Sequence, residues 1–566
     1  MSTVLRRLVL AGIVLVLAPA APAAPAAPVP PLRQPTRDAL DDLIQAEHQI
    51  DRGGFGTALF TARGQAWSYT SGPSGRPIPF TQDTPVMVGE LTGRFVILAA
   101  AHLADQGLLD FRRTLGSYLP ALGAKGAGRG HLAEVARLQV GTVAAEATGR
   151  VDIIPRLVPG YRLERNLLPA LAARADRFPP GFRQSWSCGM NDLLGLLLQH
   201  TRRQPWTRVL ATEVLQPLGM TASACVAPPE AAKTVPFYFP EGTRYDPRLV
   251  ESLLPPMCPS LSLRTTLGDL TAGGSALLAG YADLPGAALP SRLVRRILEP
   301  AIPGQLDRQG FETGLGWNLT DYRLAHLGRV AWVYGSAITH QTYVLLLPDR
   351  GMGVVVTQTW HDPAGLYDLK RIARALVETW AEQELNLPRP EFQVPSVILP
   401  IPEEDRPVPG LYASEAGMAE VGFEGDQLTL SIRGGYGAFA WAGKDMFLPT
   451  SENEYGAVEF QEGRMTVTWR SGARATLAWV PAPAQGLALE SGSFPVEVRG
   501  SVQSRGTAMI DQREGHWTIT GDDGQSYLLL PEPGKGIRVL CDQASALFGC
   551  RVTVDGLGAV HILAQQ

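Results

Sequence analysis

Thr84-Pro85-Val86-Met87-Val88-Gly89-Glu90-Leu91-Thr92-Gly93-Arg94-Phe95 is the stretch on which the fold turns. It leads into Phe95 to Gln106, where Val96, Ala99, Ala100 and Leu103 recur on one face and Gly107 comes next as a stop. That spacing predicts a helix with one buried side. Glu90 stands at the helix start, where the amide dipole favours a carboxylate.

Outward from this block, residues 38–385 mix helical segments with short apolar strands. Gly56 to Phe60 and Gln65 to Thr70 read as a hairpin around Arg63-Gly64, and Leu193 to His200 as a further helix. Trp332 to Tyr334, Thr342 to Leu347 and Met352 to Thr357 are strand-like runs. Pro348-Asp349-Arg350-Gly351 turns between the last two, as adjacent antiparallel strands require. Leu369 to Glu384 closes the region as a helix. Residues 386–407 are a proline-rich linker, and beyond it the chain changes character. Val421 and Phe423, then Leu428, Leu430 and Ile432, alternate around Glu424-Gly425-Asp426. Val458 and Phe460, then Met465, Val467 and Trp469, repeat the pattern around Gln461-Glu462-Gly463. Two small all-β modules are therefore expected, over 408–483 and 484–566.

The chain has 566 residues, more than one hydrophobic core accommodates, which fits this division. Its net charge of −4 and 18 % charged residues give no field for nucleic acid or an acidic surface. Arg6 and Arg7 precede the apolar run Leu8 to Ala18, after which small residues and prolines take over. Residues 1–23 read as a signal peptide, cut after Ala18-Pro19-Ala20 or Ala21-Pro22-Ala23, and 24–37 as an Ala/Pro-rich tether. The expected location is periplasmic or extracellular. Membrane contact would arise only through an uncleaved signal anchor, and no cysteine near the cleavage region suggests a lipid anchor. Export permits disulfides among the five cysteines. Cys541 with Cys550, and Cys225 with Cys258, are candidate pairs that leave Cys188 over.

Six blocks in order resemble the β-lactamase-related serine hydrolases, which include class C β-lactamases, penicillin-binding proteins, D-aminopeptidases and related esterases. They are Thr84 to Phe95 with Gly107-Leu108-Leu109-Asp110; Pro180-Gly181 through Trp186-Ser187-Cys188 to Gly195; Pro217-Leu218-Gly219-Met220; Leu263 to Leu270; Gly314-Leu315-Gly316-Trp317; and His326-Leu327-Gly328. The resemblance implies an α/β domain with an antiparallel sheet flanked by helices and an all-helical subdomain. Pro409-Gly410-Leu411-Tyr412 and the hairpin spacing make the next module similar to the lipocalin-like domains that often follow this domain.

In that family a serine attacks a carbonyl and a lysine one turn later helps remove its proton, as S-x-x-K. The resemblance puts Glu90 at the serine position and Gly93 at the lysine position. None of Lys125, Lys233, Lys370, Lys444 and Lys535 has a serine three places before it, and G-x-S-x-G is absent. The second motif, Y-x-N, is filled by Trp186-Ser187-Cys188, and a tryptophan N–H cannot cycle as acid and base. Cys188 reads either as a thiol nucleophile or as a buried or disulfide-bonded cysteine. The third motif, K-T-G or H-x-G on an edge strand, is assigned to His326-Leu327-Gly328, with the N–H groups of Glu90 and Arg329 at the oxyanion-hole positions. His326, Leu327, Gly328 and Arg329 would then line the binding cleft. The H-T-S-G-like segment is eroded to Gly141-Thr142-Val143-Ala144. No metal or cofactor motif appears.

These residues lead to two readings. One is an exported, catalytically impaired member of the family that binds a peptidoglycan-like peptide, a small acyl or amide ligand, or a partner. The other is an active esterase, D-aminopeptidase or β-lactamase-like enzyme using Cys188, Ser187 or Glu90. Losing nucleophile, base and shuttle together removes groups that act as one unit.

Overall fold

The computed structural model describes residues 32–47, 53–72, 80–123, 132–146, 161–172, 187–236, 251, 254, 256–301, 312–321, 323–337, 340–359, 365–389, 398–414, 417–432, 435–451, 455–469, 474–481, 492–498, 504–513, 516–521, 526–532, 536–540, 550–554 and 560–564. The signal-peptide reading, residue 186 and Cys541 lie outside them, and the tether expected over 24–37 is corrected at its end: residues 34–37 already belong to the first helix, with Thr36 buried.

Strands β1 (Phe55–Thr61), β2 (Gly64–Ser71), β6 (Ala331–Ala337), β7 (His340–Leu347) and β8 (Met352–Gln358) form an antiparallel sheet in the order β2-β1-β8-β7-β6. Three short strands, β3 (Val86–Met87), β4 (Ala224–Cys225) and β5 (Leu263–Thr265), make a second sheet in the order β3-β5-β4. The period of two in each strand sorts its side chains between two cores. Leu345 and Leu347 of β7, with Val354 and Val356 of β8, meet the apolar faces of α1 (Gln34–Glu47) and α5 (Gly365–Leu385). Val344 and Leu346, with Val355, meet α2 (Leu91–Asp105) and α4 (Leu267–Tyr281) on the other side. Because both faces are covered, β7 is buried throughout, and Tyr343 to Leu347 read as an apolar run rather than an alternation.

The helical subdomain packs around α3 (Cys188–Arg202), which lies against α2 and the short helices of residues 115–172. Ser187 caps α3 by accepting a hydrogen bond from the Met190 N–H at 3.3 Å. Among the described residues no helix is long and apolar enough to cross a membrane.

Strands β9–β16 close an eight-stranded antiparallel barrel between Gly410 and Trp479. The alternating residues pair across it, Val421 with Leu430, Phe423 with Leu428, Val458 with Val467 and Phe460 with Met465. Strands β17–β23, from Gly492 to Ala564, form a second closed barrel in which β17 pairs in parallel with β23. Leu528 of the second barrel packs with Leu411, Ala413 and Met418 of the first.

The expected bridge between Cys225 and Cys258 is not formed: both are free thiols, and Cys188 is in no disulfide. Cys225 bonds to Ser262 and burial pushes its thiol up to about 12, while the Cys258 Sγ lies 3.5 Å from the Ser260 Oγ. Proximity along the chain carried no information about the Cβ geometry a disulfide demands.

Candidate active site

Four hydrogen bonds fix the opening of α2. The Val88 N–H donates to the Leu263 carbonyl of β5 at 3.2 Å, and the Leu91 N–H to the Val88 carbonyl at 3.1 Å. The buried Thr92 hydroxyl donates to the Gly89 carbonyl at 2.6 Å and accepts from the Leu263 N–H at 3.0 Å. The block from Thr84 to Phe95 is thus clamped to β5 just where Glu90 leaves the turn.

Strand β6 runs against this turn at van der Waals limit. A Cβ on Gly335 would lie 2.2 Å from the Val88 carbonyl oxygen and 2.7 Å from the Leu91 nitrogen. One on Gly89, whose φ is +50°, would lie 1.9 Å from the Ser336 carbonyl oxygen. Only glycine permits this approach at either position. It brings the half-buried Glu90 carboxylate onto β6, where its Oε2 accepts the Ser336 N–H at 2.7 Å. A charge-assisted bond of this length is among the stronger kinds.

The edge-strand residues beside Glu90 are Val333-Tyr334-Gly335-Ser336, and the expectation of an edge strand is corrected for His326-Leu327-Gly328. Those three residues form a 3-10 turn ahead of β6. At about 3.3 Å per strand residue, Arg329 and Ser336 are roughly 20 Å apart. The turn is a bracket: the His326 Nδ1 bonds the Arg323 carbonyl at 2.9 Å, and the Arg329 N–H donates to Asp349 Oδ2 at 2.7 Å. The Arg329 guanidinium is turned to the Leu298 carbonyl at 3.0 Å, and Arg323 holds Glu378 of α5. The N–H that meets the Glu90 side chain is that of Ser336, whereas the Arg329 N–H is spent on Asp349. Val333, two residues before Gly335 on this strand, is an uncharged side chain that is 3 % exposed. The signal that locates the strand is the count back from the Pro348-Asp349-Arg350-Gly351 turn through the β6–β7 pairing, in which Ser336 faces Gln341 and Gly335 faces Thr342.

The lysine position is occupied by a neighbour. A Cβ on Gly93 would meet the Asn191 Nδ2 of α3 at 2.5 Å. Asn191 is fully buried, and its Nδ2 donates to Glu146 Oε1 at 3.4 Å. The same oxygen is 2.6 Å from the Arg94 Nη1. An Asn-Glu-Arg cluster thus fills the space in which a lysine ammonium would reach the nucleophile. Gly93→Ala should therefore lose about 1–2 kcal/mol of stability, overpacking outweighing the gain in helix propensity. Urea unfolding of Gly93→Ala, Asn191→Ala and the double variant checks this. Strong favourable coupling is expected, and strict additivity would show that the two side chains do not compete.

Cys188, the first residue of α3, is in no disulfide and fully buried, which closes its sulfur to a substrate. Ser187 is 2 % exposed and spends its hydroxyl on the cap. Trp186 lies outside the described residues.

An antiparallel sheet between two helical layers, a turn-helix junction pressed on its edge strand and a helical subdomain closing over it define a serine β-lactamase and penicillin-binding-protein type of domain. The family model described as Beta-lactamase matches residues 40–379, and the chain belongs to that family. No curated protein matches it. Among solved structures it is similar to "Crystal structure of SurE with D-Leu", at 18 % identity over 79 % of this chain and 100 % of that one, with a TM-score of 0.47. It is similar to "A class C beta-lactamase" at 17 %, covering 61 % and 96 % with a TM-score of 0.48. It is also similar to "Structure of the octameric penicillin-binding protein homologue from Pyrococcus abyssi" at 16 %, covering 78 % and 99 % with a TM-score of 0.48.

Proposed function

We propose that this chain is an exported, non-catalytic member of the beta-lactamase family whose relic cleft binds a peptidoglycan-like peptide or a small acyl or amide ligand. The carrying observation is the Glu90 carboxylate on the Ser336 N–H. A group that would stabilise a developing oxyanion instead holds a permanent one supplied by the protein itself. An acyl oxygen entering there would meet like charge, so the site repels the intermediate that family chemistry requires. The lysine position holds Gly93, and Val333 on the strand is uncharged. The thiol alternative loses its nucleophile to burial.

Binding is the residual capacity such a cleft retains. Strand β6 is an edge of the sheet, the place where an extended peptide adds its own hydrogen bonds. The Asn191 Oδ1 is buried without a donor among the described residues, leaving a polar acceptor behind α2. The sequence of residues 1–23 supports delivery to the periplasm or the cell exterior.

Purified protein incubated with a fluorescent penicillin and with a fluorophosphonate probe is expected to carry no covalent label. A peptide ending in two D-alanines should bind in calorimetry and be recovered uncleaved. Labelling abolished by Glu90→Ala, Ser187→Ala or Cys188→Ala would make the chain an enzyme and overturn this reading.

A further inference from the structure

A second concave surface lies beside the helix that carries Arg292, whose guanidinium holds Asp105 at the end of α2. It is a cavity of about 570 Å3 between the 141–145 segment and the helix Ser291–Leu298. Its lining holds four arginines, Arg112, Arg292, Arg295 and Arg296, against one carboxylate, Glu299. The helix contributes three of them at positions i, i+3 and i+4, which places them on one face. Arg112 arrives from a loop distant in sequence.

The four are not equivalent. Arg292 is paired through both Nε and Nη2 with Asp105, and Arg112 with Asp110. Arg295 and Arg296 are bound to neutral groups. Arg295 stacks 4.5 Å from the Tyr281 ring centroid and donates to the Ser291 hydroxyl and the Tyr281 carbonyl. The Arg296 guanidinium lies 4.3 Å from the Phe111 ring centroid. Stacking fixes the plane of each guanidinium, so little freedom remains to be lost when its N–H groups meet an oxyanion. Arg296 feels the Asp105 carboxylate that Arg292 holds, but neither Arg295 nor Arg296 makes an ion pair among the described residues, and both share one cavity with Phe111, Pro300 and Leu315, which supply an apolar wall.

We propose that this cavity binds a small ligand carrying two or more oxyanion groups, carboxylate or phosphate, on a compact apolar body. Guanidinium forks match both oxyanions bidentately, and the cavity volume suits a small molecule. Asp105, which anchors Arg292, is a helix length of roughly 22 Å from Glu90, while at the other wall Ala145 adjoins Glu146, the partner of Asn191 and Arg94.

Calorimetry with tricarballylate and with inorganic pyrophosphate, on the full chain, separates the two chemistries. At least one probe should bind saturably, and more weakly as NaCl rises from about 20 to about 200 mM. Arg296→Gln should weaken that binding roughly ten- to hundred-fold, the worth of a charge-assisted hydrogen bond or two. Thr142→Glu, which adds a carboxylate to the opposite wall without touching the arginines, should weaken it as well. Absence of saturable binding by both probes overturns the proposal. So does binding left unchanged in both variants while their melting temperatures match the wild type.

Discussion

Asp192→Ala should lower the stability of the hydrolase-like domain by about 3–5 kcal/mol, the largest single-residue loss expected from the described contacts. Asp192 is fully buried on α3. Its Oδ2 accepts the Tyr161 hydroxyl at 2.7 Å and its Oδ1 the Ser260 N–H at 2.9 Å. Tyr161 is 2 % exposed, and burial together with the neighbouring carboxylate holds its phenol protonated far above the usual range. Alanine would leave a hydroxyl and an amide in the interior with no acceptor, each worth about 1–3 kcal/mol. Asp192→Asn retains one acceptor and should be milder. Tyr161→Phe should cost less than either, and Tyr161→Phe with Asp192→Ala less than the sum, because one broken bond is counted twice. Denaturant unfolding with constant slope is the measurement, and a melting point within error of wild type for Asp192→Ala would refute it. The consequence reaches the relic site. Ser260 leads through Ser262 to Leu263, which holds both Val88 and Thr92, so this carboxylate fixes the loop on which the start of α2 is clamped.

How far the sequence speaks can be judged residue by residue. Local patterning reports elements well. Glycine stops, the Pro348-to-Gly351 turn and alternating pairs such as Val458 with Val467 depend on neighbours along the chain, and the strands and barrel arise from them. The positions that the resemblance puts at Glu90 and Gly93 rest on local spacing too, since S-x-x-K spans one helical turn. The edge strand was not: His326-Leu327-Gly328 fits H-x-G as a string but precedes the strand, on which Gly335 is the glycine pressed on the Glu90 turn. Strand pairing, a long-range property, decides between them. That the Glu90 carboxylate reaches Ser336 is a matter of rotamer and of the closeness allowed by Gly89 and Gly335, which spacing does not encode. The arginine cavity divides in the same way: Arg292, Arg295 and Arg296 form a stripe visible in one helix, whereas Arg112 joins them only through the fold.

The second large effect is an acid-dependent loss of stability set by His340. This histidine opens β7, is fully buried, and its Nε2 lies 3.1 Å from the Pro236 carbonyl, a contact that makes this nitrogen the donor. Desolvation outweighs the backbone hydrogen bonds that would favour the cation, and its pKa is pushed down to about 4 from an ordinary 6.5. Between these values the unfolded chain takes up a proton that the native chain refuses. Unfolding is then driven by acid: stability is complete above about pH 6.5, falls as pH drops toward 4, and levels off once the native state protonates too. A shift of this size corresponds to about 3 kcal/mol. Urea midpoints of wild type and His340→Gln, taken from pH 7.5 down to pH 4, read the effect. Glutamine retains an N–H donor for Pro236 and does not titrate, so the difference between the two proteins should move by about that amount in favour of the variant as pH falls. A difference independent of pH would mean that His340 titrates alike in both states and that its burial is relieved before it protonates. Acid would then act elsewhere, and the β6–β7 edge carrying Tyr334, Gly335 and Ser336 would hold its register.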